Sequence, residues 1–110
     1  ALTKDSIISA HCTLNTTATI SLNVGQNPVS ADNTATPARR MSNGATGLLA
    51  YNIYKDAGHT SIWGAGAGNG SAYTGNGTSE NVLMFGKIGP GLVVPNGTYT
   101  DTVTVSIDLG

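Results

Sequence analysis

The sequence predicts an all-β chain, a β-sandwich or barrel built from short strands. Three observations predict it. Several segments alternate apolar and polar residues with the period of two that a strand requires. Gly, Pro and Asn clusters separate those segments as turns do. No stretch repeats apolar residues three and four apart, so little or no helix is expected.

The clearest alternation runs over 97–110. Tyr99, Val103, Val105, Ile107 and Leu109 share one face, and Thr98, Thr100, Thr102, Thr104, Ser106 and Asp108 share the other. Branched Thr and Val suit a pleated surface. From the front, residues 6–12 form a short strand candidate, and 17–24 alternate cleanly around Ala18, Ile20, Leu22 and Val24. Gly25, Gln26, Asn27 and Pro28 end that strand. Residues 29–38 read as a loop between prolines, Arg39-Arg40-Met41 follows it, and Ser42-Asn43-Gly44 reads as a turn. Residues 47–54 carry Leu49, Tyr51 and Ile53 on one face and Leu48, Ala50, Asn52 and Tyr54 on the other, which predicts a central strand. Residues 55–60 form a turn, 61–64 a short edge, and 64–70 a Gly-Ala loop. Residues 81–88 alternate again, and Gly89-Pro90-Gly91 and Pro95-Asn96-Gly97 punctuate the remainder.

The chain has 110 residues, enough for one domain around one core. Only 10% are charged and the formal net charge is -1. Only Arg39 and Arg40 are adjacent cations, so nucleic acid is not an expected partner. No apolar run approaches the ~20 residues of a membrane helix. No basic segment with an apolar core follows Ala1, so the chain reads as mature or trimmed. Cys12 is the one cysteine. It is either a buried apolar thiol or the half of a disulfide whose partner lies outside this chain.

Catalytic patterns are sparse. His11 and Cys12 are neighbours on a strand and point to opposite faces, so they do not make a nucleophile–base pair. His11 reads as an exposed strand residue and His59 as a turn residue. None of Asp5, Asp32, Asp56, Glu80, Asp101 and Asp108 forms a spaced pair for acid–base work or calcium binding, and no metal-ligand cluster or cofactor is expected. Asp56 and Asp101 suit capping of backbone amides, and Asp101 equally suits pairing with Arg39 or Arg40. The glycines of 64–70 are not followed by the helix that a phosphate-binding loop needs.

Several segments together resemble one family. They are Ile8-Ser9-Ala10-His11-Cys12-Thr13, Thr19-Ile20-Ser21-Leu22-Asn23, Arg39-Arg40-Met41, Leu49-Ala50-Tyr51-Asn52-Ile53-Tyr54-Lys55-Asp56-Ala57, Ile62-Trp63-Gly64, Phe85-Gly86-Lys87-Ile88 and Gly97-Thr98-Tyr99-Thr100-Asp101-Thr102-Val103. In this order they resemble the spore coat protein U domain, the subunit domain of archaic chaperone–usher pili. The resemblance implies an immunoglobulin-like sandwich lacking one strand, which a segment of the next subunit supplies. It implies three kinds of partner: other copies or related pilins, a periplasmic chaperone and an outer-membrane usher. It also implies a cell-surface, extracellular location. Tyr99, Val103, Val105, Ile107 and Leu109 would then line the groove for the incoming strand. Cys12 matches the second cysteine of the family's disulfide, its partner lying outside this chain. Only Ala1 to Ile7 precede the first matching segment, so residues 1–110 are expected to be one domain without the family's first strands and donor segment.

The function expected is a structural subunit of an adhesive pilus that supports attachment and biofilm formation, with no enzymatic activity. Alternatives are a spore-coat component, a tip subunit using Trp63 or Tyr73 for contact (Trp63 fitting a core better), and a carbohydrate- or ligand-binding sandwich using loops 64–77 and 29–37. An enzyme using Cys12 and a histidine is the remaining alternative.

Overall fold

A computed structural model describes residues 2–11, 13–66, 68–89 and 94–109. Among them there is no helix, and seven strands form two antiparallel sheets. The strands are β1 (Leu2–His11), β2 (Thr17–Leu22), β3 (Arg39–Ser42), β4 (Leu48–Tyr54), β5 (Ser71–Thr74), β6 (Ser79–Ile88) and β7 (Val105–Leu109). One sheet has the order β1-β6-β4-β3, the other β5-β2-β7.

The expected alternation of 17–24 becomes β2, where Ala18, Ile20 and Leu22 are buried. They face the inner side of the first sheet. Ile20, Leu22 and Trp63 form the core, with Ile8, Ile53, Tyr73, Val82, Met84 and Val103 packed around them. Trp63 donates its indole N–H to the Ile20 carbonyl at 2.8 Å, so its polar atom is satisfied inside the core. β4 lies between β6 and β3, as its two bulky faces predict.

Four boundaries depart from the sequence reading. β1 starts at Leu2 rather than near residue 6, because all ten of its residues pair with β6, from Leu2 with Ile88 to His11 with Ser79. Its polar first half carries little alternation, so the ladder and not the pattern defines it. β3 was not expected: its inward position is an arginine, Arg39, which is 1% exposed. Arg39 donates to the carbonyls of Leu22, Asn23 and Trp63 and to the Asn52 carboxamide, at 2.7–3.3 Å. A guanidinium can be buried when its donors all find acceptors, and here it ties β2, β4 and the Trp63 turn together. β5 sits inside the expected loop 64–77, with Tyr73 paired opposite Ala18.

The fourth departure is at the end of the chain. The expected strand over 97–110 is regular only from Val105 to Leu109. Before it, Thr100 makes an isolated bridge with Ser42 of β3, through hydrogen bonds of 2.8 and 2.9 Å. The segment therefore begins on the edge of the first sheet and ends in the second. In between, one backbone bond remains, from the Asn23 amide to the Thr104 carbonyl at 3.1 Å, and side chains supply the other partners. The Asn23 carboxamide accepts from the Thr104 amide at 2.9 Å, and the Asp101 carboxylate accepts from the amides of Gln26 and Thr102. Gly25, in the left-handed region at φ 78°, leaves the room: a Cβ there would lie 2.2 Å from Asp101 Oδ2.

The molecule is long, 48 × 26 × 23 Å, with a radius of gyration of 14.9 Å. A compact domain of this length has a radius near 13 Å. Among the described residues only Ala10, Ala18, Ile20, Leu22 and Trp63 are fully buried hydrophobics.

Candidate functional site

The site is the inner face of β7. β7 pairs with β2 on one side, in the register Val105 with Leu22, Ile107 with Ile20 and Leu109 with Ala18. Directly paired residues on neighbouring strands point to the same face. Val105, Ile107 and Leu109 therefore point to the side on which Ile20 and Leu22 are buried. Yet Val105 and Ile107 are each 41% exposed and Leu109 is 68% exposed, while Ile20 and Leu22 are 0% exposed. Among the described residues, then, three apolar side chains of β7 are directed inward and left uncovered.

The backbone gives the same result. Among the described strands β7 ends its sheet, so its outward N–H and C=O groups have no ladder partner. Sheet edges normally carry charges, bulges or a covering element against unwanted pairing. On β7 the single charged residue is Asp108.

The chain leading to β7 is fixed firmly. Tyr51 on β4 donates its hydroxyl to Asp101 Oδ2 at 2.5 Å. Burial first, then the hydrogen bond and charge of Asp101, push the Tyr51 phenol well above its ordinary 10.0, with Arg39 acting the other way. Burial lowers the Arg39 guanidinium below its usual value, partly offset by Tyr51 and Asp101. Among the described residues Asp101 receives its hydrogen bonds from Tyr51, Gln26 and Thr102, and Arg39 acts on it only through charge.

Of the expected groove residues, β7 aligns Val105, Ile107 and Leu109. Val103 is half-buried against the core. Tyr99 stands apart: its hydroxyl donates to the Pro95 carbonyl and lies against Gly47 and Asn43 of the β3–β4 turn. Cys12 and the Pro90-Gly91 turn lie outside the described residues.

Trp63 and Tyr73 both pack in the core, and neither presents a ring for contact at a tip. His11 shares a hydrogen bond of 3.0 Å with the Gly77 carbonyl. His59 stacks edge-on against Tyr54 and Phe85. Among the described residues no three His, Cys, Asp or Glu side chains gather as a metal site.

Comparison with known proteins gives a consistent result. A curated relative, Protein U of Myxococcus xanthus, is 40% identical over 101 residues, covering 91% of this chain and 56% of that protein. The chain thus spans about half the length of this relative. Among solved structures, one chain of the complex between the CsuC chaperone and the CsuE tip adhesion subunit is similar. That pre-assembly complex comes from the archaic chaperone–usher Csu pili of Acinetobacter baumannii. The similarity has a TM-score of 0.69 and 27% identity, over 97% of this chain and 33% of that one. The fold is the immunoglobulin-like sandwich expected from the sequence. The model of the Spore Coat Protein U domain matches residues 1–106, and the chain belongs to that family.

Proposed function

We propose that this chain is a structural, non-enzymatic subunit of an extracellular pilus. In this reading a chaperone–usher system assembles the pilus by adding a donor strand beside β7. One observation carries the reading: the edge strand β7 directs Val105, Ile107 and Leu109 inward and leaves them 41–68% exposed. The complex of a tip subunit with its chaperone, to which the chain is similar, supports the same class of partner.

The chemistry is strand addition. A strand laid along β7 takes up its free N–H and C=O groups, and every second side chain covers Val105, Ile107 and Leu109. Covering those half-exposed side chains stabilises by about 1 kcal/mol each, and each ladder hydrogen bond adds about 1 kcal/mol. A strand of five residues thus seals the sandwich tightly while making no covalent bond. Before assembly the periplasmic chaperone occupies the position; the usher then exchanges it for a segment of another subunit. Residues 1–110 act as one domain, with Cys12 joined to a cysteine outside it. Attachment and biofilm growth would follow from the fibre.

Co-expression with the chaperone of the same gene cluster tests this. The expected result is a stable one-to-one complex, followed by filaments containing the chain when usher is present. Filaments assembled without this polypeptide, or a chain that binds neither chaperone nor related subunit, would overturn it.

A further inference from the structure

We infer that the loops beyond the end of β4 form a binding site for a neutral saccharide. The site goes beyond the role in assembly and shares no residue with the inner face of β7. It is a cavity of about 300 Å3 lined by Thr36, Lys55, Thr60, Ser61 and Asn69, with Ile62 and Gly68 completing the wall. That volume is at the lower end of small-ligand sites and suits one sugar unit.

Three segments distant in sequence build the walls, and hydrogen bonds hold them before any ligand arrives. The Ala65 amide donates to the Thr34 carbonyl at 2.9 Å, which joins the 29–38 loop to the glycine loop. Gly64 touches that loop so closely that a Cβ there would lie 1.8 Å from the Ala35 carbonyl oxygen. Lys55 Nζ donates to the carbonyls of Gly68 and Gly70, each at 3.3 Å. The Asp56 carboxylate accepts from the amides of Thr60 and Ser61 and from the Thr60 hydroxyl. A wall fixed in this way loses little freedom on binding.

The groups left over define the ligand. Among the described residues the Ser61 hydroxyl and the Asn69 carboxamide have no hydrogen-bond partner, and Lys55 keeps its third N–H. The hydroxyls of Thr60 and Thr36 donate to Asp56 and Asn33, so their oxygens still accept. The cavity thus offers donors and acceptors side by side. Vicinal hydroxyls, each a donor and an acceptor, match that array. Lys55 is the one charged residue of the lining, and two of its N–H groups already donate to the Gly68 and Gly70 carbonyls, so a simple anion would find few free donors there. One aliphatic side chain, Ile62, is too little for an apolar ligand.

The test is titration of the full-length protein, labelled with 15N, with cellobiose, maltose, lactose and chitobiose, and separately with glucuronate. The expected result is saturable shifts of the Ser61, Asn69 and Gly70 amides with at least one neutral sugar. The double variant Ser61→Ala with Asn69→Ala should weaken binding at least about ten-fold, with an unchanged melting temperature. Shifts from glucuronate alone, shifts confined elsewhere, no shift at all, or undiminished binding by the double variant would each overturn the site. Filament formation is scored in parallel. Filaments without saccharide binding overturn only this inference; saccharide binding without filaments leaves it standing and counts against the role in assembly.

Discussion

The Tyr51 hydroxyl donates to the Asp101 carboxylate at 2.5 Å, and so fastens the central strand of one sheet to the segment that feeds the edge strand of the other. Hydrogen bonds to a charged group are the stronger kind. Tyr51→Phe removes this one while keeping the ring, and should cost roughly 1.5–3 kcal/mol in chemical denaturation. The phenol also sets a pH dependence. Its pKa is raised in the fold above 10.0, so the fold prefers the protonated form. This contribution is complete below pH 10.0 and is lost as pH rises above it. Tyr51→Phe should show a shallower alkaline decline than the parent; parallel declines would refute the coupling.

Arg39 should tolerate no replacement. Its guanidinium serves four acceptors, the buried carbonyls of Leu22 and Trp63 and the part-buried Asn23 carbonyl and Asn52 carboxamide. Lysine cannot reach all of them with one ammonium group. Arg39→Lys is expected to lose about 3 kcal/mol, mainly from the unsatisfied carbonyls. Urea melts of the two proteins measure it directly.

Val105→Asp separates folding from assembly. The side chain is 41% exposed in the chain alone, so the charge stays hydrated and stability should change by less than about 0.5 kcal/mol. Once a strand covers β7, the same carboxylate is buried without a partner, at a cost of several kcal/mol. The expected outcome is a normal melting curve with loss of the chaperone complex and of filaments. A lowered melting temperature with assembly intact would contradict the assignment of this face.

Asp56 gives a second titration, at the acid end. The Thr60 hydroxyl first, then the Ser61 amide, hold its carboxyl down from 3.8 to about 2. A depressed pKa favours the ionised form in the fold, so its stabilisation is complete above 3.8 and disappears as pH falls toward 2. Asp56→Asn should lose less stability across that window than the parent. Thermal melts at several pH values decide it.

The parts of the fold that the sequence revealed are those whose inward residues are apolar. β2, β4 and β6 alternate because Ile20, Leu22, Ile53, Val82 and Met84 all face the core. β3 escaped because the buried side chain is Arg39, which pattern reading takes for a surface residue. β5 escaped because Gly70 and Gly75 flank it and Tyr73 is its one large inward residue. The strand expected over 97–110 is longer than the observed β7. Thr98, Thr100 and Thr102 alternate as a strand does, but Thr100 makes only an isolated bridge with Ser42 and the Thr102 amide bonds the Asp101 carboxylate instead of a ladder. Val105, Ile107 and Leu109 are legible as one face, while the Tyr99 hydroxyl turns away to the Pro95 carbonyl and lies near Gly47 of the β3–β4 turn. The saccharide cavity was half legible. Loops 29–37 and 64–77 are legible as binding loops, but Lys55 and Ser61 join them only through the return of the chain after β4.

The change of sheet between Thr100 and Val105 also has a mechanical consequence. A pull along the axis of β7 loads its hydrogen bonds to β2 together, in shear, rather than one after another. The same pull reaches the first sheet through Asp101 and Tyr51 and through the Thr100–Ser42 bridge. Tension applied at one strand is therefore shared by both halves of the domain. Resistance to forced unfolding is set by the rate of rupture rather than by equilibrium stability. This wiring favours slow rupture in a domain whose core is thin.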